Sequence, residues 1–254
     1  MNVKKVLEMH RRGEIDTVEA ERAIRLDYVQ RIGEHTLFDP HRAERKGIPE
    51  IIYGEGKSPV EVADIISGTM AYRDIFLVSR ASPKHFEAIR AAVGQGVRYE
   101  EGARMVVVDR RPSCDPMGKV GILAGGTSDI PVAEEARVVA EAMNCEVFTA
   151  YDVGIAAFHR FIDPLFQMLD KGVDSLIVAA GMEGALASVV SSLADVPVIG
   201  LPTSIGYGVG EGGRVALAAM LQSCSPGLSV VNIDNGVGAG ATAALISLRC
   251  RRSK

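Results

Sequence analysis

The sequence lacks a basic surplus: 28 Lys and Arg stand against 32 Asp and Glu, a formal charge of −4. Phosphate-backbone binding runs on clustered positive charge, so this balance excludes a nucleic-acid partner. It also lacks a long apolar run. Ser175–Gly181 and Leu228–Ile233 fall far below the roughly 18 residues that span a bilayer. The opening stretch carries Lys4, Lys5, Glu8, Arg11, Arg12 and Glu14, with no apolar segment of signal-peptide length. The expectation is therefore a soluble, cytoplasmic protein with no membrane partner. Cysteine is sparse and unpaired in pattern: Cys114, Cys145, Cys224 and Cys250 form no C-x-x-C and have no nearby His pair. No zinc site is readable, and any important cysteine acts as a thiol. Prolines number only 11, and 47% of residues are hydrophobic, so the chain buries enough apolar surface to fold.

What is present divides in two. Positions 1–116 hold 19 basic and 19 acidic residues, against 9 and 13 in positions 117–254, while Gly rises from 9 to 18. The seam, Arg110 to Gly118, contains Pro112 and Pro116 and reads as a linker. We expect a small charged α/β domain over 1–116 and a second α/β domain over 117–254. The low charge of the second also predicts subunit burial and hence a homo-oligomer.

In the first region the spacing predicts helices over 3–12, 17–32, 59–70 and 84–93, and strands over 50–53, 74–78 and 105–108. The second region reads as a βα ladder. Strand-like runs at 120–123, 146–150, 175–179, 197–200 and 228–233 alternate with helix-like runs at 131–143, 156–171, 184–193, 213–222 and 240–248. The strands are near-continuously apolar rather than alternating, the pattern of a parallel sheet covered by helices on both faces.

Ligands of open α/β sheets sit at the carboxyl ends of the strands. Four glycine-rich stretches are placed there: 125–129, 181–184, 206–213 and 236–240. Glycine permits close backbone approach and turns amide N–H groups toward a ligand, which suits a nucleotide phosphate or only a tight turn. Neither G-x-G-x-x-G after the first strand nor G-x-x-x-x-G-K-[ST] occurs, so kinase and ordinary nicotinamide-dehydrogenase readings are weak. Glu183 follows the most apolar strand and is either held by helix-terminal amides or a desolvated acid/base. Ser128 and Asp129 suit either an N-cap or a phosphate or hydroxyl ligand. His159 and Arg160 open a helix, as surface groups or as cationic and proton-moving partners of an anion. Cys224 is a loop cysteine with no visible His partner.

The blocks Ile51-Ile52-Tyr53-Gly54-Glu55-Gly56-Lys57, Gly126-Thr127-Ser128-Asp129-Ile130-Pro131, Tyr151-Asp152-Val153-Gly154, His159-Arg160, Ala180-Gly181-Met182-Glu183-Gly184, Pro202-Thr203-Ser204-Ile205-Gly206-Tyr207-Gly208 and Val231-Asn232-Ile233-Asp234-Asn235-Gly236 resemble the LarB family. Its members are pyridinium-3,5-biscarboxylic acid mononucleotide synthases of nickel-pincer nucleotide cofactor biosynthesis. More distantly, the second region resembles PurE-type purine carboxylases, which implies a flavodoxin-like parallel-sheet fold and an octamer with sites between subunits. The resemblance implies a reaction of nicotinic acid adenine dinucleotide with carbon dioxide, releasing AMP. It makes Cys224 a nucleophile that adds to the ring and Glu183 the proton-transfer carboxylate or the director of carbon dioxide, with Asp129 and His159 as further catalytic residues facing the nucleotide. Gly126, Thr127, Ser128, Arg160, Gly181, Met182, Gly184, Ser204 and Gly206 then face the nucleotide. No organic cofactor and no protein metal ligands are expected; carbon dioxide is a co-substrate, and magnesium could assist phosphoanhydride cleavage. Two other readings use the same residues: a purine-pathway carboxylase or mutase, and a non-catalytic nucleotide sensor.

Overall fold

A computed structural model describes residues 3–28, 30–32, 36–38 and 46–252, with side chains for 3–24 and 46–251. The described chain divides into two compact units, Met1–Arg98 with Val106–Arg111, and Tyr99–Met105 with Pro112–Lys254.

The first unit opens with α1 (Val3–Arg11) and α2 (Thr17–Tyr28). The helical spacing that extends to Ile32 is cut short. Residues Gln30–Ile32 form β1, which pairs antiparallel with β2 (Thr36–Phe38). Backbone pairing with a partner strand overrides the local helical pattern there. A four-stranded sheet follows, built from β3 (Glu50–Tyr53), β4 (Ile75–Ser79), β5 (Val97–Glu100) and β6 (Met105–Asp109) in the order β3-β4-β6-β5. The β3–β4 pair is parallel and β4–β6 antiparallel. Between the strands lie α3 (Pro59–Thr69) and α4 (Pro83–Val93), which pack on each other. The start of α3 is dictated locally: Ser58 Oγ accepts from Glu61 N, Glu61 returns its carboxylate to Ser58 N, and Pro59 needs no donor. Val62, Ile66, Phe76, Leu77, Ile89 and Val106–Val108 are fully buried as the core of this unit.

The second unit alternates β7 (Gly118–Ala124), α5 (Ile130–Ala142), β8 (Cys145–Ala150), α6 (His159–Asp170), β9 (Ser175–Ala180), α7 (Ala185–Leu193), β10 (Val198–Pro202), α8 (Arg214–Leu221), β11 (Leu228–Val230) and α9 (Gly236–Arg252). All paired strands are parallel, in the order β11-β10-β9-β7-β8. Every residue of β9 is buried, which explains its unbroken apolar run. One face is covered by α5 and α9. On the other, Phe161 and Leu165 of α6, Leu186 and Val190 of α7 and Met220 of α8 pack with Leu123, Leu176 and Val178 of the sheet. Burying each such side chain contributes roughly 1.5–3 kcal/mol. The unit is thus an α/β domain with a flavodoxin-type strand order and helices on both faces.

One glycine-rich stretch departs from its expected role. Residues 236–240 are not a loop but the first turn of α9. A Cβ on Gly236 would collide with the Val132 carbonyl, and one on Gly240 with the Ala136 carbonyl. These glycines let α9 lie against α5, and the stretch contributes helix packing rather than a phosphate cradle. Gly240→Ala gains up to about 1 kcal/mol of helix propensity and loses about 1–3 kcal/mol by overpacking. The expected outcome is a net loss of stability, seen as a lower urea midpoint with an unchanged slope.

Candidate active site

In this sheet the strand order reverses around β7, with β8 on one side and β9 on the other. Such a switch point opens a crevice at the carboxyl edge, because the loops leaving the neighbouring strands run to opposite faces. A pocket of about 450 Å³ lies there. It is walled by residues 125–129 after β7, by Asp152 and 154–156 after β8, by 180–183, Ala185 and Leu186 from the end of β9 into α7, and by Ile205 after β10.

Asp129 lies at the junction of these loops. It is 5% exposed. Thr203 Oγ1, itself fully buried, donates to its Oδ1 at 2.5 Å, and Gly126 N donates to its Oδ2 at 2.8 Å. The Gly181 amide is a third donor. Burial raises the Asp129 pKa above its ordinary value, and the nearby Asp234 carboxylate adds to the rise. The three hydrogen bonds work in the opposite direction. The Asp129 side chain therefore does not cap α5, one of the roles open to it on sequence; it turns back to join three loops.

Glycine is required where those loops meet. A Cβ on Gly154 would come within 2.7 Å of the Gly125 carbonyl, and one on Gly181 would collide with the Ile205 carbonyl. Met182 adopts φ +52 and Gly184 φ +65, the reversal that starts α7 at the pocket wall. A non-glycine residue in this region marks a constrained loop.

Of the residues singled out on sequence, Gly126, Thr127, Ser128, Asp129, Gly181, Met182 and Glu183 line the pocket, and Gly184 is buried beside it. Ser204 and Gly206 flank the lining residue Ile205; the Ser204 amide donates to Asp234 Oδ1 at 2.8 Å. Glu183 is exposed at the pocket rim, so within one chain it is not the desolvated acid its apolar surroundings suggest. The buried carboxylate is Asp129. His159 is exposed at the start of α6 and outside the pocket lining. Arg160 is held by Asp152, its Nη1 donating to Oδ2 at 2.7 Å, and Asp152 rather than Arg160 faces the cavity.

Cys224 is exposed and lies elsewhere. It sits between α8 and β11, on a helix-to-strand connection, and such connections occupy the amino edge of a parallel sheet. Its neighbours confirm the placement. Ser225 Oγ donates to Ser191 Oγ at 3.1 Å, and Ser191 Oγ to the Pro226 carbonyl at 3.3 Å. Ser191 belongs to the last turn of α7, whose first residues, Ala185 and Leu186, line the pocket. The stretch of α7 from Leu186 to Ser191 puts about 8 Å of helix axis between the pocket wall and the contact with the Cys224 loop. Sequence reasoning did not single out Thr203 or Asp152 as site residues. The signal for both is position, since Thr203 follows directly on β10 and Asp152 lies two residues past β8.

Among the described residues no group of three or more His, Cys, Asp or Glu is placed to hold a metal ion. No described helix is long and apolar enough to cross a membrane.

Residues 29–110 match the family described as LarB/PurE-like N-terminal domain, and residues 119–252 match the AIR carboxylase family. The chain is 41% identical over 251 residues to an uncharacterized protein of Methanocaldococcus jannaschii, covering 97% of both. It is 31% identical over 137 residues to the N5-carboxyaminoimidazole ribonucleotide mutase of Thermotoga maritima, covering 51% of this chain and 75% of that protein. The Pyrococcus abyssi enzyme of the same name is 30% identical over 136 residues, covering 52% and 72%.

The raised pKa of Asp129 has a consequence for stability. Above the ordinary value of 3.8 the native state keeps a proton that the unfolded chain has lost. Unfolding then releases a proton, so this group makes stability fall as pH rises through that window. Urea titrations should show the native protein losing stability relative to Asp129→Asn as pH rises above about 4.

Proposed function

The chain belongs to the family that joins a LarB/PurE-like N-terminal domain to an AIR carboxylase domain, an architecture of carboxylase- and mutase-type enzymes, and from that membership we propose that it carboxylates the pyridinium ring of nicotinic acid adenine dinucleotide. The products are pyridinium-3,5-biscarboxylic acid mononucleotide and AMP. The observation that carries this reading is the presence of both domains in one chain. The ribonucleotide mutases align with only about half of it.

The chemistry needs a thiol. A pyridinium ring is electron-poor and does not attack carbon dioxide. Addition of the Cys224 thiolate forms a C–S bond and sends an electron pair to the ring nitrogen, leaving an enamine-like C5. C5 then forms a C–C bond to carbon dioxide. A carboxylate takes the C5 proton, the C–S bond breaks, and aromaticity returns with the thiolate expelled. Water cleaves the phosphoanhydride in a separate step. Glu183 at the rim suits the proton transfer because it is accessible, while Asp129 holds the loops beneath.

The separation of Cys224 from the pocket within one chain supports a site shared between copies. One chain does not bring thiol and carboxylate together, so the reaction takes place between copies, with Cys224 of one subunit reaching the pocket of another. This fits the exposed apolar residues around the rim: Ile205, Tyr207 and Val209 are all solvent-facing in the single chain. Turnover of aminoimidazole ribonucleotide is the second reading, favoured by the identity to the mutases, and it requires no thiol.

Two measurements test this. With the dinucleotide and isotope-labelled bicarbonate, mass spectrometry should show labelled dicarboxylated mononucleotide and AMP, and neither with Cys224→Ala. Full activity of Cys224→Ala would end the thiol mechanism. Cys224→Ala and Glu183→Gln, each inactive, should regain activity when unfolded, mixed in equal amounts and refolded. Random assembly leaves about one site in four with both groups intact. No recovery would place thiol and carboxylate in one chain.

A further inference from the structure

We propose that Ser191 and Ser225 are positioning residues for the Cys224 thiol, joined hydroxyl to hydroxyl so that the loop holds the thiol in the place its reaction needs. The inference rests on the thiol mechanism above and deepens it.

The first support is the loop around the thiol. Cys224 is exposed, so its place is set by the residues on either side of it and not by a packed side chain. Those residues are tied down. The Ser225 amide donates to Ser223 Oγ at 3.2 Å and closes a turn around Cys224, while the Ser223 amide donates to the Met220 carbonyl at 3.3 Å. Pro226 fixes its own φ and restricts Ser225 to extended backbone. Beyond it, the Gly227 carbonyl accepts from Val198 N at 3.0 Å and joins the loop to the sheet.

The second is Ser191. It is 6% exposed although it carries a hydroxyl. A serine in a helix commonly returns its hydroxyl to a carbonyl of the preceding turn, and the neighbouring Ser192 does so, donating to the Val189 carbonyl at 2.7 Å. Ser191 instead reaches out of its helix. Its Oγ donates to the Pro226 carbonyl at 3.3 Å and accepts from Ser225 Oγ at 3.1 Å. One hydroxyl of α7 thus holds the two residues that follow the thiol. Its proton and a lone pair are both engaged, so loss of either hydroxyl leaves a polar partner unmatched. The anchor is firm, because Leu186, Ala187 and Val190 of the same helix are buried in the core.

The third is what the chemistry demands. Sulfur must approach a ring carbon along a narrow path, and a misplacement of about 1 Å can cost about a hundredfold in rate. The two serines exchange no proton in the addition. They act on the place of the thiol and leave its reactivity unchanged.

The test is steady-state kinetics with nicotinic acid adenine dinucleotide and bicarbonate, beside the rate at which iodoacetamide alkylates Cys224, read by peptide mass. Ser191→Ala and Ser225→Ala should each lower kcat about tenfold or more, with KM and the alkylation rate within about twofold of the native values. The double variant should lose little more than either single one, since the two hydroxyls make one link. Ser225→Thr keeps the hydroxyl and should restore turnover. Ser192→Ala, whose hydroxyl bonds its own helix, should leave kcat within about twofold. Ser225 is only half-buried, so its alanine variant carries the comparison should Ser191→Ala not fold. An alkylation rate that falls in step with kcat would overturn the proposal, because the serines would then act on the thiol's reactivity. Turnover by the native protein and by both alanine variants alike ends the positioning role alone. No turnover by the native protein ends the proposed function and the positioning role with it.

Discussion

The pocket depends on one buried carboxylate. Asp129 draws a hydroxyl from the β10 loop, an amide from the β7 loop and an amide from the β9 loop onto two oxygens. A charge at 5% exposure is costly to bury unless its acceptor sites are filled, and removing one donor leaves the desolvation cost in place. The donors therefore act as a set. Thr203 contributes the only side-chain donor in that set, and it has no alternative role visible in its surroundings, being fully buried itself. Glycine at 154 and 181 is the steric counterpart: carbonyls of neighbouring loops occupy the space of a side chain. Pocket shape thus follows from satisfying one carboxylate in a confined space.

Much of this was legible in the sequence, for a physical reason. A doubly covered parallel sheet demands apolar residues at every position of its central strands, and Leu176 to Ala179, all fully buried, show that demand without ambiguity. The α5 stripe likewise shows in Ala136, Val139 and Ala140, all fully buried. Legibility failed where a residue's role is decided by a distant partner. The glycines of 236–240 look like a loop because their spacing is that of a loop; what makes them helical is contact with the carbonyls of α5, about a hundred residues earlier. Glu183 stood out because charge is scarce around it, yet burial belongs to Asp129, whose hydroxyl partner lies 74 positions away. Strand β5 is only four residues long, and β1 lies where the spacing is helical, so both are decided by the strands they pair with.

Cys224 is a different case. Its place between a helix and the next strand was visible in the order of elements, and in a parallel sheet that order assigns an edge. Strand-to-helix connections lie at the carboxyl edge and helix-to-strand connections at the other. A thiol on the second kind of connection cannot belong to the same-chain pocket unless the chain is rearranged. The topology itself, before any side-chain geometry, puts the Cys224 and Glu183 connections at opposite edges of the sheet within one chain. A reaction that uses both becomes a property of the assembly, and catalytic competence would then respond to subunit concentration as well as to folding.

Charge points the same way. The pocket wall carries three carboxylates, and the Arg160 guanidinium is bound to one of them, Asp152. A dinucleotide brings at least two negative charges on its phosphates. At an effective dielectric of about 20, two like charges about 4 Å apart repel by about 4 kcal/mol. The cationic ring has the reverse preference.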